Sequence, residues 1–257
     1  MVELIVIGVA AFSTAVLSAV AGLGGGVILL LVIAQFVAPT TAIPIQGAIQ
    51  LVANGSRAAL LRRTIAWPVV GWSSLLLLPG SLLGVAIATS VPENAVRLAL
   101  AAFVLVLAWR PHWLKLTPSP GSAADRSEDD DRSRARERRP MLIGLGAATG
   151  LLNSTVGASG PVTSPFLKAV TATHVAFVAT AAATQVAAHA AKLFAFTTDG
   201  WDIVDHVDVI ATGVVGVVAG SWIGTRLLGR ISTTDLDVVF KVVLTALAVR
   251  LVVTAVA

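Results

Sequence analysis

Residues 21–30 read AGLGGGVILL, placing four glycines within five positions in the middle of a hydrophobic stretch. Glycine in a helix interior costs roughly 1 kcal/mol relative to alanine, so a cluster of this density breaks an apolar helix rather than continuing it. The apolar arm that follows, 27–37, has 11 residues. At a 1.5 Å rise this gives about 16 Å of helix, roughly half of a 30 Å hydrocarbon core. A second break stands at GASGP, residues 157–161, and the arm after it, 161–170, is equally short. The chain is therefore expected to contain two glycine-broken helical hairpins.

The surroundings of these breaks are those of an all-α integral membrane protein. Of 257 residues, 56% are hydrophobic and only 12% charged, with a mean hydropathy of +0.88. Apolar runs long enough to cross a bilayer recur at 41–61, 68–90, 94–110, 171–196, 207–228 and 236–257. None shows the alternating ten-residue pattern of a membrane barrel. The start, MVELIVIGVAAF, has no basic n-region and predicts no cleaved signal peptide. There is no cysteine, which excludes disulfides and thiolate metal sites. The pI near 10.3 is assigned to cytoplasmic loops rather than to nucleic acid.

Three regions follow: a first membrane repeat over 1–110, a polar cytoplasmic linker over 111–139, and a second repeat over 140–257. The linker contains TPSPGSAADRSEDDDRSRARERR at 117–139, too polar to bury a core of its own. The repeats emerge on sliding the chain along itself. An offset of 135 superposes Gly22 on Gly157, Gly25 on Gly160, Gln50 on Gln185, Asn54 on His189 and Arg57 on Lys192; an offset of 140 superposes Gly80, Ser81 and Gly84 on Gly220, Ser221 and Gly224. Repeats of this kind mark membrane transporters.

Loop charge sets the orientation. Arg57, Arg62 and Arg63, eight Lys or Arg over 110–139, and Arg226 with Arg230 belong in the cytoplasm; Asp199, Asp202, Asp205 and Asp208 belong outside, and Arg97 is a mild exception. Each repeat then comprises a broken hairpin plus three spans, an odd number of crossings, and the repeats are inverted in the membrane. The rival count, in which each first arm spans fully and the chain crosses eight times, stays open. Trp67, Trp109, Trp113 and Trp201 fall at span ends and suit an interfacial belt.

Irregular backbone at membrane depth must line a cavity or be covered by protein. Half-helices starting near Gly26 and at Pro161 would aim unpaired N–H groups at such a cavity, an arrangement suited to an anion. Gly24, Gly25 and Gly26 at the first break and Ser159 and Gly160 at the second are the expected backbone donors. Gly80, Gly84, Gly220 and Gly224 are read instead as close helix packing. Gln50, Asn54 and Arg57 share one helix face, as do Gln185, His189 and Lys192, and polar stripes this deep usually face a bundle interior. Arg57 and Lys192 have stems long enough to snorkel to an interface, and the amides to bond between helices. Asn153, Ser154, Thr155 and Ser159 crowd the second break and could complete an oxyanion's shell. No cofactor or enzyme motif is present: HExxH and a Walker loop are lacking, and GLGGGV lacks the third glycine of a dinucleotide fingerprint.

AGLGGGVILLLVI, QGAIQLVANGSRAALLRR, PGSLLG and LIGLGAATGLLNSTVGASGPV together resemble the TauE/SafE sulfite exporter family, over nearly the whole chain apart from the linker. The resemblance implies a multi-pass permease of the prokaryotic inner membrane for sulfite, sulfoacetate or related anions, with two halves counted as four helices each. The second break, with Ala158 and Ser159 between its glycines, departs from the first and predicts a site with unequal sides. The resulting expectation is a secondary transporter, with a small anionic substrate, the lipid bilayer as surroundings and no cofactor. An anion channel, a permease for another oxyanion or carboxylate, and a non-transporting membrane protein remain alternatives. Homo-oligomerisation is left open.

Overall fold

The computed structural model describes residues 1–21, 25–109, 135–227 and 233–256. These form α-helices without a strand among them: α1 (Val2–Ala21), α2 (Gly25–Ile33), α3 (Pro39–Leu60), α4 (Trp67–Ser74), α5 (Leu77–Ser90), α6 (Glu93–Trp109), α7 (Arg139–Thr155), α8 (Gly160–Val170), α9 (His174–Thr198), α10 (Val207–Leu227) and α11 (Thr233–Val256). The six expected spans agree with α3, the pair α4 and α5, α6, α9, α10 and α11 to within a few residues. Gly24, Trp113 and the linker up to 134 lie outside the described residues, while 135–137 already form a helical turn leading into α7.

Among the described residues one stretch, Val204–Gly224, is by itself long and apolar enough to cross a membrane, and α4 with α5, bent by 43°, meets the same standard as a pair. The central helices are more polar for a reason visible in their packing. α3 buries Gln46 and Asn54, and α9 buries Thr180, Thr184, His189 and Lys192, so the side chains that lower hydropathy point into the bundle. Outward positions such as Leu83, Val215, Val218, Val242 and Val253 are exposed and apolar.

The short helices α2 and α8 are built differently from the others. In α2 nearly every residue is buried, including Val27 through Leu31 and Ile33, so this helix is apolar all round because protein surrounds it. Its last turn is closed by the Gln35 side chain, whose Nε2 donates to the Leu31 carbonyl at 3.0 Å. α8 begins with Gly160 and Pro161, a comfortable place for a residue lacking an N–H. Helix α9 is opened by Thr173, whose hydroxyl accepts from the Ala176 N–H at 3.1 Å.

The helices exchange partners between the two halves of the chain. α1 packs along α10, and α7 along α4 and α5; α3 packs on α9, and α6 on α11. The closest approaches are made through glycine. A Cβ at Gly80 would lie 2.4 Å from the Ala147 carbonyl oxygen, and one at Gly220 would lie 2.2 Å from that of Phe12. Gly146 and Gly150 approach the backbone of Ser73 and Leu77 as closely. The packing role expected of Gly80, Gly84 and Gly220 is thus the observed one. Trp67 and Trp109 are exposed, whereas Trp201 is half-buried and stacks on His206 with ring centroids 5.8 Å apart.

Candidate anion site

The starts of α2 and α8 come together. Between them lies a cavity of about 90 Å³, lined from the first half by Ser18, Gly26, Val27, Gln46, Gln50, Asn54 and Arg57. The second half contributes Asn153, Gly157 through Pro161, Gln185 and His189. Three elements of each half build it: the end of the first arm, the start of the short helix, and the polar face of the long helix that follows.

Local geometry explains each contribution. On α3 the polar residues at 46, 50, 54 and 57 fall on one face. Gln46 Nε2 donates to the Gly26 carbonyl at 3.2 Å, tying α3 to the first break. Gln50 lies beside the same glycine, since a Cβ on Gly26 would come within 3.2 Å of its amide. On α9, Gln185 Nε2 donates to Ser159 Oγ at 3.3 Å, tying that helix to the second break. Gly157 holds φ +68°, a left-handed turn that lets the chain leave α7 and enter α8. Gly160 has open space where a Cβ would stand, so its backbone is approachable.

The charge balance is one-sided. Arg57 is partly buried on the wall, and among the described residues it has no carboxylate partner and no Asp or Glu lines the cavity. Lys192 is fully buried behind the wall, its Nζ donating to Gln46 Oε1 at 3.0 Å and to Asn153 Oδ1 at 3.5 Å. Asn153 Nδ2 in turn lies 3.5 Å from His189 Nδ1. Around the cavity stand amide, hydroxyl and backbone donors, two short-helix N-termini and a guanidinium. Such a lining favours an anion.

Of the residues singled out from sequence, Gly26, Gln50, Asn54, Arg57, Asn153, Ser159, Gly160, Gln185 and His189 are brought to this one cavity. Others stand elsewhere. Gly25 is held against α1, where a Cβ would lie 2.2 Å from the Thr14 carbonyl oxygen, so its glycine serves packing. Ser154 faces α5, with its Cβ 2.9 Å from the position a Gly84 side chain would take. Thr155 turns back to donate to the Leu151 carbonyl at 2.9 Å. Lys192 does not line the cavity, and it does not snorkel: its ammonium stays inside, and Gly47 makes room for the stem, a Cβ there lying 2.4 Å from Lys192 Cε.

Sequence reasoning missed Gln46 and Ser18, and it named Gly157 as part of the second break without counting it among the site residues. Gln46 lies one turn before Gln50 on the same face of α3. Ser18 falls on Asn153 at the 135 offset, and Gly157 matches Gly22 at that offset, so the signals were there.

Compared with known proteins, residues 6–251 match the family model described as "Sulfite exporter TauE/SafE". No curated protein and no solved structure matches the chain.

Proposed function

The chain belongs to the TauE/SafE sulfite exporter family, and we propose that it is a transporter and not an enzyme, exporting a small sulfur-containing oxyanion such as sulfite through the cavity between its two helix breaks. The observation that carries the reading is the lining: donors from both halves and a guanidinium from the first, without a carboxylate among the described residues.

The proposed architecture is two inverted repeats in the prokaryotic inner membrane. What supports it is the recurrence of helix starts: 25 and 39 reappear at 160 and 174 after an offset of 135, and 67 and 93 at 207 and 233 after an offset of 140. The Gly80 contact with Ala147 and the Gly220 contact with Phe12 are equivalent under the same two offsets. Rocking of one set of elements against the other would open the cavity to each side in turn. The anion would sit against Gly26, Ser159 and Gly160, with Gln50 and Gln185 on facing helices and Asn54, Arg57, Asn153 and His189 completing the wall. Export needs no ATP, since the membrane potential favours anion exit by about 2.3 kcal/mol per charge per 100 mV.

Purified protein in liposomes preloaded with sulfite is expected to take up labelled sulfite by saturable counterflow. Ohmic anion currents without counterflow would establish the channel instead, and the absence of either would overturn the reading.

A further inference from the structure

Lys192 is the only described cation that is fully buried, and the cavity wall separates it from the anion. Its role is therefore to be sought in what it touches. An ammonium has three hydrogens to donate and nothing with which to accept. Gln46 and Asn153, both bonded to its Nζ, must therefore each present an oxygen to it, and this fixes which way both amides turn.

The consequence propagates to the cavity by two short chains. With Oε1 of Gln46 on Lys192, Nε2 faces the other way; one of its hydrogens reaches the Gly26 carbonyl at 3.2 Å, and the second is left for the cavity that Gln46 lines. With Oδ1 of Asn153 on Lys192, Nδ2 meets His189 Nδ1 at 3.5 Å. An amide NH2 can only donate, so Nδ1 accepts, and the neutral ring carries its hydrogen on Nε2, the nitrogen left for the cavity. We infer that Lys192 is a positioning residue that sets the hydrogen-bond polarity of the site. By turning Gln46 and, through Asn153, selecting the tautomer of His189, it makes both groups donors toward the cavity, so the site selects anions without the ammonium touching the substrate.

This inference rests on the reading of the cavity as an anion site, but its decisive test is independent of transport. In protein labelled with ¹⁵N-histidine, the His189 resonances, assigned by their loss in His189→Gln, are expected to show an unprotonated Nδ1 and a protonated Nε2. Lys192→Met is expected to remove that bias and to raise the sulfite concentration for half-maximal counterflow roughly tenfold, the loss of one donor to a charged group. Asn153→Asp replaces the donor facing Nδ1 with an acceptor and is expected to move the hydrogen to Nδ1; it serves also if Lys192→Met fails to fold. A hydrogen on Nδ1 in the parent protein, or an unchanged tautomer in Asn153→Asp, would overturn the inference. A parent protein with the expected tautomer but no sulfite transport would overturn the proposed function and leave the hydrogen-bond chain standing.

Discussion

Gly26 and Gly157 both sit at helix breaks, yet each is glycine for its own reason. Gly157 holds φ +68°, and a Cβ there would lie 2.3 Å from Leu30 Cδ2. Gly157→Ala combines a left-handed backbone with an overpacked core, and it is expected to cost about 1–3 kcal/mol, read as a lowered midpoint of thermal unfolding. At Gly26 the backbone is helical, and a Cβ would come within 3.1 Å of Gln46 Nε2 and 3.2 Å of the Gln50 amide. Gly26→Ala is therefore expected to change stability by less than about 1 kcal/mol while slowing sulfite counterflow roughly tenfold, the value of one displaced donor. Much of the site was legible at this scale, because burying Gln50, Asn54, Gln185 and His189 in a membrane is too costly unless they face the interior. Direction within the interior was not legible. Sequence placed Ser154 at the break and Lys192 on the polar stripe of the following span, but only packing shows that the one faces α5 and the other stands behind Gln46 and Asn153.

Helix boundaries were read closely because their signals are local: glycine at the breaks, Pro161 in the first turn of α8, charge at the loops. Burial was not local. VILLLVI in α2 reads like any lipid-facing run, and its burial is completed, beyond its chain neighbours α1 and α3, by α11 at the far end of the sequence. The small-residue faces tell the same story from the other side. α5 meets α7 and α10 meets α1 at glycines whose missing Cβ lets backbone touch backbone. Gly80→Val and Gly220→Val should each lower stability by about 1–3 kcal/mol, and by similar amounts, since they disrupt equivalent approaches. Gly144, an exposed position with nothing within 4 Å of where a Cβ would stand, is the control. Gly144→Ala should leave the unfolding midpoint nearly unchanged, within roughly 0.5 kcal/mol.

Across the whole molecule, the arrangement that matters is that each half completes the other. The end of α1, the start of α2 and the polar face of α3 meet the end of α7, the start of α8 and the polar face of α9 on one cavity. Neither half lines the cavity alone, and the polar stripes of α3 and α9 would have no partner without the other half. The proposed transport rests on the two amides that line the cavity from the two halves, Gln50 on α3 and Gln185 on α9. The direct measurement is saturable sulfite counterflow by the folded Gln50→Ala, Gln185→Ala double variant in liposomes, beside the parent protein. A loss of roughly a hundredfold, two donors to a charged group, is the predicted result; a double variant that carries sulfite as fast as the parent would contradict it.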